Sequence, residues 1–269
     1  MSRIRETFQR LRERKRVALI PFIMAGDPDL SVTEELVPRL VEAGADLVEI
    51  GVPFSDPIAD GPINQRAAQR ALVQGVTPRK ILATVRRLRE RTSVPIVLLS
   101  YFNPVLRYGI EDFCKDAVGA GVDGLVVPDL PPDEASALVE AARNSGLDTI
   151  FLVTPTSTEE RIDLVCRLAT GFVYCVSLTG VTGPRREVNL EALDLLTRLR
   201  ARTTLPLVLG FGISTPAQAG EVARYADGVI VGSALIRLIE EAGPQAVETS
   251  MQFLSQFRQA LDIASTRGS

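Results

Sequence analysis

The chain alternates between short, nearly continuous apolar runs and longer segments in which apolar residues recur at helical spacing. The apolar runs are rich in Val, Ile and Leu, a composition typical of parallel strands that are covered on both faces. Several of the helical segments end in a similar phrase with Gly (A-G-A-D, A-G-V-D, S-G-L-D) just before the next run. The pattern predicts eight strands, over residues 17–26, 46–51, 95–101, 124–129, 148–153, 171–177, 206–212 and 228–233.

Eight strand–helix units in roughly 250 residues match a TIM (β/α)8 barrel. The competing architecture is an open doubly wound sheet, which usually has about five or six strands. No linker or low-complexity stretch divides the sequence. We therefore predict one α/β domain over 1–269, a TIM barrel (17–240) with additional helices over 1–15 and 245–263.

Composition narrows the class of protein further. Of the 269 residues, 46% are hydrophobic and 23% are charged, and the net charge is -3. This balance is typical of soluble globular proteins and not of nucleic-acid binders. Three cysteines without C-x-x-C spacing favour a reducing compartment and no structural metal. Because the longest apolar run (17–26) is far shorter than the about 20 residues that span a bilayer, we expect a cytoplasmic protein with no membrane partner.

Two residue types limit the chemistry. The sequence contains no histidine, which excludes Ser-His-Asp and Cys-His catalysis and metal sites built on imidazole. Its three lysines, Lys15, Lys80 and Lys115, all lie in segments that read as helix and not at strand ends. An enzyme with this sequence must therefore rely on carboxylates, backbone amides and hydroxyls.

The ends of the last two predicted strands carry a pattern suited to an anion. In a TIM barrel, active sites form at the C-terminal ends of the strands, and phosphate often binds after strands seven and eight. Gly212, Gly232 and Ser233 occupy these places, and the G-V-T-G segment (180–183) offers a third wall. Glycine lets backbone N–H groups approach phosphate oxygens, and a helix N-terminus favours the anion. The pattern favours a phosphorylated substrate, whereas each glycine alone would also fit an ordinary turn.

Glu49 lies inside the second predicted strand, where an unpaired carboxylate costs free energy. Side chains alternate along a strand, so Leu47, Glu49 and Gly51 share one face. If that face points into the barrel, burial raises the pKa of Glu49 and suits it to proton exchange near neutral pH. The alternative is a structural ion pair with an arginine on an outer helix. Asp60, in the loop of Pro and Gly that follows, offers a second carboxylate in a different environment, as in acid/base pairs.

Seven motifs, in order and at matching spacing, resemble the α subunit of tryptophan synthase. They are P-F-I-M-A-G-D-P (21–28), V-E-I-G-V-P-F-S-D-P-I-A-D-G-P (48–62), L-L-S-Y-F-N-P (98–104), V-P-D-L-P (127–131), V-S-L-T-G-V-T-G (176–183), G-F-G-I-S (210–214) and V-G-S-A (231–234). Other phosphate-binding barrels share only the pattern after the last two strands.

The resemblance implies an enzyme that cleaves indole-3-glycerol phosphate into indole and glyceraldehyde 3-phosphate, a retro-aldol reaction that needs neither metal nor lysine. It implies that Glu49 is the main acid/base group, that Asp60 accepts a hydrogen bond from the indole N–H, and that Thr182 helps to close the site. The implied indole pocket is lined by Phe22, Leu99, Tyr101, Val126, Asp129, Tyr174 and Phe211. The implied phosphate-binding residues are Gly183, Gly212, Gly232 and Ser233.

The resemblance also implies a partner, the β subunit of an α2β2 heterotetramer, which takes the indole for L-tryptophan synthesis. Pyridoxal phosphate is expected only on that subunit, so no cofactor is expected on this chain. Loops 53–60 and 102–107, together with 131–132, are the implied contact surface. Two positions depart from the family pattern: Asn64 stands where an apolar residue is expected, and Leu178 where an arginine is sometimes found.

Three alternatives remain open at this stage. Another phosphate-binding barrel, such as an isomerase of phosphorylated sugars, explains Gly212, Gly232 and Ser233 but gives no reason for Glu49 and Asp60. A catalytically silent subunit that only regulates a partner gives no reason for these two carboxylates either. A stand-alone indole-3-glycerol phosphate lyase, working without a β subunit, agrees with all of these residues.

Overall fold

The centre of the protein is a closed barrel of eight parallel strands that pair in chain order. The structure is a computed structural model, and it describes residues 2–176, 190–210 and 212–267. The strands are β1 (Ala18–Met24), β2 (Val48–Gly51), β3 (Ile96–Leu99), β4 (Gly124–Val126), β5 (Asp148–Val153), β6 (Val173–Val176), β7 (Leu207–Gly210) and β8 (Gly228–Val231). The predicted TIM barrel and its eight strands are confirmed.

Helices surround the barrel and connect successive strands. They are α1 (Arg3–Glu13), α2 (Leu30–Glu42), α3 (Pro62–Val73), α4 (Pro78–Arg89), α5 (Phe102–Tyr108), α6 (Ile110–Ala120), α7 (Ser136–Ser145), α8 (Glu159–Leu168), α9 (Leu190–Arg200), α10 (Pro216–Val222), α11 (Ser233–Ala242) and α12 (Ala246–Arg267). Helices α6 and α7 end at Gly121 and Gly146 in the left-handed conformation, as the repeated glycine phrase predicted. None of the helices in the described ranges is long and apolar enough to cross a membrane.

Most strands are shorter than the apolar runs that predicted them. The run 124–129, for example, contributes only Gly124–Val126 to β4. Its last residue, Asp129, accepts a hydrogen bond from the backbone N–H of Phe102 at 2.8 Å, and so belongs to the loops that follow the strands. Apolar residues continue beyond the strand because loop residues at this end are also buried, so hydropathy alone overestimates strand length.

Helix α1 closes the N-terminal end of the barrel. Its buried residues include Ile4 and Phe8 at helical spacing. The Phe8 ring packs on Phe172, just before β6, with ring centroids 6.0 Å apart. The Ile4 methyl lies so close to Gly124 that a Cβ at this glycine would be 3.0 Å from it. The helix therefore covers the starts of β4 and β6, on the side opposite the predicted site.

Helix α12 joins the end of the chain to its beginning, because it packs against α2, α10 and α11. Its buried Arg258 donates to the carbonyl of Val17 at 3.1 Å and forms an ion pair with Asp46 at 3.0 Å. Asp46 in turn accepts from the backbone N–H of Leu19 at 3.0 Å. One guanidinium therefore holds the starts of β1 and β2 to the last helix.

Candidate active site

A cavity of about 260 Å³ lies at the C-terminal end of the barrel, where the strands meet their following loops. It combines apolar walls with two carboxylates and the N-terminus of α11. Its lining within the described residues consists of Phe22, Glu49, Asp60, Gly61, Pro62, Ile63, Asn64, Leu99, Tyr174, Gly212, Ile213, Ile230, Gly232 and Ser233. A mostly apolar cleft with a few converging polar groups is the usual form of a small-molecule site.

Glu49 lies in the interior of the barrel and not against an outer helix. It pairs in register with Phe22 of β1 and Val97 of β3, and only 1% of it is exposed. Neither carboxylate oxygen has a hydrogen-bond partner within the described part of the chain. Burial, followed by the nearby charge of Asp60, raises the pKa of Glu49 to about 8. Such a group is mostly protonated at neutral pH, yet it can still release its proton there.

Asp60 lies beside Glu49 and is held by two neutral donors. The Tyr101 hydroxyl donates to its Oδ2 at 3.0 Å, and the Asn64 amide nitrogen donates to its Oδ1 at 3.3 Å. The same tyrosine oxygen accepts from the backbone N–H of Ala59 at 3.0 Å. Burial raises the pKa of Asp60, while the bonds from Asn64 and Tyr101 oppose that rise. The two carboxylates therefore differ: Asp60 has two donors that stabilise its charge, and Glu49 has none among the described residues.

Tyr174 of β6 is buried in the wall of the cavity next to both carboxylates. Burial raises its pKa well above the ordinary value, and the charges of Glu49 and Asp60 add to the rise. Its ring occupies the space above Gly210, where a Cβ would lie 2.4 Å from a ring carbon. The strand end at 210 therefore requires glycine, because any side chain there would displace the tyrosine from the wall.

The far end of the cavity is suited to an anion. Gly232 precedes α11, so the first N–H groups of that ten-residue helix lie at the cavity with Ser233 at its start. Gly212 has a backbone φ of 84°, which favours glycine, and it also lines the cavity. Unpaired N–H groups and the helix dipole attract a phosphate to such a place.

The structure brings most of the sequence-predicted site residues together and leaves two apart. Eight of them line the cavity: Phe22, Glu49, Asp60, Leu99, Tyr174, Gly212, Gly232 and Ser233. Tyr101 reaches it through its bond to Asp60. Val126 and Asp129 are not among the lining residues: Val126 pairs within the β3–β4–β5 ladder, and Asp129 accepts the backbone N–H of Phe102 at the start of α5. Thr182, Gly183, Phe211 and the departing position Leu178 lie outside the described residues.

Sequence reasoning missed part of the lining. Ile213 and Ile230 belong to it, and so do Gly61, Pro62 and Ile63, while Asn64 was noted only as an unexpected residue. Alternation along β8 places Ile230 on the same face as Gly232, so the sequence contained a signal that Ile230 lines the cavity. The Pro-led start of α3 directly after Asp60 was a second signal, because the first turn of a helix stays close to the loop before it.

All three lysines lie in the described part of the chain, and none lines the cavity. Lys80 instead donates to the carbonyl of Gly75 at 2.8 Å. Within residues 2–176, 190–210 and 212–267, no three acidic or cysteine side chains come together as a metal-binding group. The titratable groups that face the cavity among these residues are thus Glu49, Asp60 and Tyr174.

Comparison with known proteins agrees with this arrangement. A family model described as "Tryptophan synthase alpha chain" matches residues 8–264, nearly the whole sequence. The chain belongs to the tryptophan synthase alpha chain family. It is accordingly a lyase that cleaves indole-3-glycerol phosphate, and the predicted fold, family and activity are confirmed.

Similar members of the tryptophan synthase alpha chain family match over almost their full length. The alpha chain of Geotalea daltonii is 53% identical over 251 residues, which are 93% of this chain and 95% of the relative. That of Geobacter sp. (strain M21) is 54% identical over 262 residues, covering 97% and 98%.

Solved structures of the same family match in three dimensions. The crystal structure of tryptophan synthase subunit alpha from Legionella pneumophila has a TM-score of 0.91 and 40% identity, covering 98% of this chain and 99% of that one. A chain of the aminoacrylate-bound tryptophan synthase from M. tuberculosis has a TM-score of 0.88 and 37% identity, covering 97% and 100%.

Proposed function

We propose that Glu49 is the acid and base of the cleavage, that Asp60 binds the indole N–H, and that the start of α11 binds the phosphate. The observation that carries this proposal is the state of Glu49: a buried carboxyl group without a partner in the described residues, beside a second carboxylate, in the cavity that α11 closes. A structural glutamate at this depth would be paired.

The raised pKa of Glu49 suits the order of proton transfers. Near neutral pH the group is mainly protonated, so it first gives its proton to indole C3. The carboxylate that remains then takes the proton of the hydroxyl on the adjacent glycerol carbon. The electrons of that O–H bond form the aldehyde carbonyl, and the carbon–carbon bond breaks to restore the aromatic indole. One carboxyl group thus returns to its starting state after each cleavage.

Asp60 supports the intermediate in this sequence. Protonation of C3 places positive charge on the ring nitrogen, and an ionised carboxylate at the N–H stabilises that charge. The donors Tyr101 and Asn64 favour the ionised form of Asp60 against the effect of burial. Phe22, Leu99 and Tyr174 supply the apolar walls that an indole ring requires.

The phosphate has its place at the opposite end of the cavity. Backbone N–H groups at Gly232 and Ser233, with Gly212 from the neighbouring loop, offer donors to its oxygens. Binding there fixes the glycerol carbons between the anion site and Glu49, so that part of the barrier is lowered by orientation. The roles of Thr182 in closing the site, of Gly183 at the phosphate and of Phe211 and Val126 at the ring stay predictions.

We further propose that the chain works with a β subunit in an α2β2 heterotetramer in the cytoplasm. Pyridoxal phosphate would be bound only on the β subunit, by a lysine of that subunit. The related M. tuberculosis structures are named as the whole tryptophan synthase, which supports a complex. The loops of the implied contact surface carry exposed apolar side chains, since Ile58 is 82% exposed and Leu106 53% exposed. Exposed apolar side chains on these loops suit a surface that a partner covers.

The deciding experiment measures release of indole from indole-3-glycerol phosphate by the purified full chain, alone and with a candidate β subunit. We expect release by the chain alone and a large stimulation by the partner. A chain with full activity alone and no stimulation would be a stand-alone lyase, which refutes the proposed complex but not the chemistry. No indole release under either condition would refute the roles assigned to Glu49 and Asp60.

A further inference from the structure

Asn64 is a polar residue in the wall of a cavity that is otherwise suited to an aromatic ring. It belongs to the first turn of α3 and lines the cavity together with Asp60 and Leu99. Its amide nitrogen donates to Asp60 Oδ1 at 3.3 Å. Its carbonyl oxygen, Oδ1, is buried and has no hydrogen-bond partner within the described part of the chain.

The neighbouring carboxylate determines which way the amide of Asn64 points. An ionised carboxylate only accepts hydrogen bonds, so the NH2 group must face Asp60 and the carbonyl oxygen must face away from it. A buried acceptor without a donor costs about 1–3 kcal/mol, a cost that a ligand N–H or O–H at the same place removes. The apolar side chains of this wall, such as Phe22 and Leu99, offer no acceptor, and the other buried oxygens without a partner among the described lining residues belong to Glu49, which the proposed cleavage already uses.

We propose that Asn64 is a specificity-determining residue whose carbonyl oxygen accepts a hydrogen bond from a donor on the edge of the bound ring. The inference rests on the proposed function, which places the indole ring between Glu49 and Asp60. Asp60 takes the ring N–H, and Asn64 adds a second acceptor beside it. The pocket therefore favours indoles that carry a hydroxyl or amino group on the six-membered ring over indoles that carry a methyl group of similar size.

The test uses the reverse reaction of the full chain, in which indole C3 adds to the aldehyde carbon of glyceraldehyde 3-phosphate. One carbon–carbon bond forms, and the proton lost from C3 is balanced by the proton that the new hydroxyl gains. Hydroxyindoles and methylindoles substituted at each position of the six-membered ring are compared by kcat/KM. We expect the wild-type chain to prefer the hydroxy compound at one position or at two adjacent positions.

Three variants separate the acceptor from the rest of the side chain. Asn64→Leu eliminates the acceptor, and Asn64→Ala eliminates both the acceptor and most of the side-chain volume. In both variants we expect the hydroxy-over-methyl ratio of kcat/KM to fall roughly 3- to 10-fold at the preferred position. Asn64→Asp keeps an acceptor oxygen but loses the NH2 group, so the ratio should persist although overall activity falls. Gln65→Leu is the matched control, because Gln65 binds the backbone carbonyl of Asp60 at 2.9 Å and does not line the cavity.

Two outcomes would overturn the inference. The first is a hydroxy-over-methyl ratio that stays within twofold of wild type at every position in both Asn64→Leu and Asn64→Ala. The second is an equal loss of the ratio in Asn64→Asp. Failure of the proposed function has a different signature, because Glu49→Gln would then still convert unsubstituted indole at the wild-type rate, whatever the ratios at Asn64.

Discussion

Replacing Glu49 by glutamine removes one ionisable group and leaves the shape of the side chain almost unchanged. Loss of an acid/base group typically reduces the rate by about 10²–10⁴, equivalent to roughly 3–5 kcal/mol of barrier. The same substitution lowers activity but raises the free energy of unfolding at high pH. The pKa of Glu49 is about 8 in the folded chain and ordinarily 4.5, so between these pH values the unfolded chain has released a proton that the folded chain still holds.

The stability of the wild-type chain therefore falls as the pH rises from 4.5 to about 8, by an amount that reaches roughly 3–5 kcal/mol. Glutamine does not titrate, so Glu49→Gln should match the wild type near pH 5 and exceed its stability near pH 8. Titrating groups away from the cavity are common to both proteins and cancel in the difference, whereas Asp60 and Tyr174 are coupled to Glu49 and contribute to it. A single substitution is thus expected to abolish turnover and to stabilise the fold at high pH.

Two measurements check this prediction. Indole release is followed from pH 6 to pH 9, where the kcat/KM of the wild type should report an ionisation near 8 in the free enzyme. Urea unfolding at pH 5 and pH 8 gives the free-energy difference between variant and wild type. Glu35→Gln, at an exposed position on α2, serves as the isosteric control that should change neither quantity. Turnover within tenfold of the wild type, or a stability difference that is the same at both pH values, would refute the reasoning.

Three further changes test the second carboxylate of the site, an ion pair at the opposite end of the barrel, and the packing of the cavity wall. Asp60→Asn should lower kcat/KM by about 10²-fold or more. It should also lower the pKa of Glu49, because the charge of Asp60 helps to raise that pKa. The pH profile of kcat/KM measures both effects. Arg258→Met leaves the carboxylate of Asp46 buried without its cation and should cost about 3–5 kcal/mol in urea unfolding. Gly210→Ala forces a Cβ against the Tyr174 ring and should cost about 1–3 kcal/mol together with most of the activity, measured by thermal unfolding and indole release.

Each of these changes has its own control or contradicting result. Gly119→Ala lies within α6, where a Cβ meets nothing within 4 Å, so it should stabilise the protein by about 1 kcal/mol. A Gly210→Ala protein as stable and active as this control would contradict the packing argument. Adding Asp46→Asn to the Arg258 variant should recover part of the lost stability, and no recovery would mean that the stranded charge was not the cause. An unchanged pH profile in Asp60→Asn would exclude coupling between the two carboxylates.

The barrel could be predicted from the sequence for two reasons. Its strands are buried on both faces, and several of its helices end at a glycine. Continuous apolar runs have few alternatives to a covered parallel strand, and glycines such as Gly121 and Gly146 mark helix stops through their left-handed backbone. Alternation along β2 left two faces open for the carboxylate of Glu49, and the structure places it in the barrel interior. The parts of the site that lie on regular strands and helices could therefore be predicted from the sequence.

The loops were harder to predict because tertiary contacts decide where their side chains point. Asp129 ends an apolar run at the correct edge of the barrel, yet it accepts a backbone N–H from Phe102 and does not reach the cavity. The resemblance marks Asn64 as a polar residue where an apolar one is expected, but only the structure shows that its amide binds Asp60 in the cavity wall. Neither outcome has a periodic signal in the sequence.

The attachment of α12 through Arg258 has a consequence for how the molecule is made. The bond from Arg258 to the carbonyl of Val17 joins residues 241 positions apart, so it forms only after all eight strands of the barrel have been synthesised. Until then Asp46 lacks its guanidinium, and the surfaces of α2 and α10 that α12 covers face water. Ordering so long a stretch of chain carries a large entropic cost before its contacts compensate, which slows folding. The first two strands of the barrel to be synthesised, β1 and β2, are therefore among the last to gain all of their contacts.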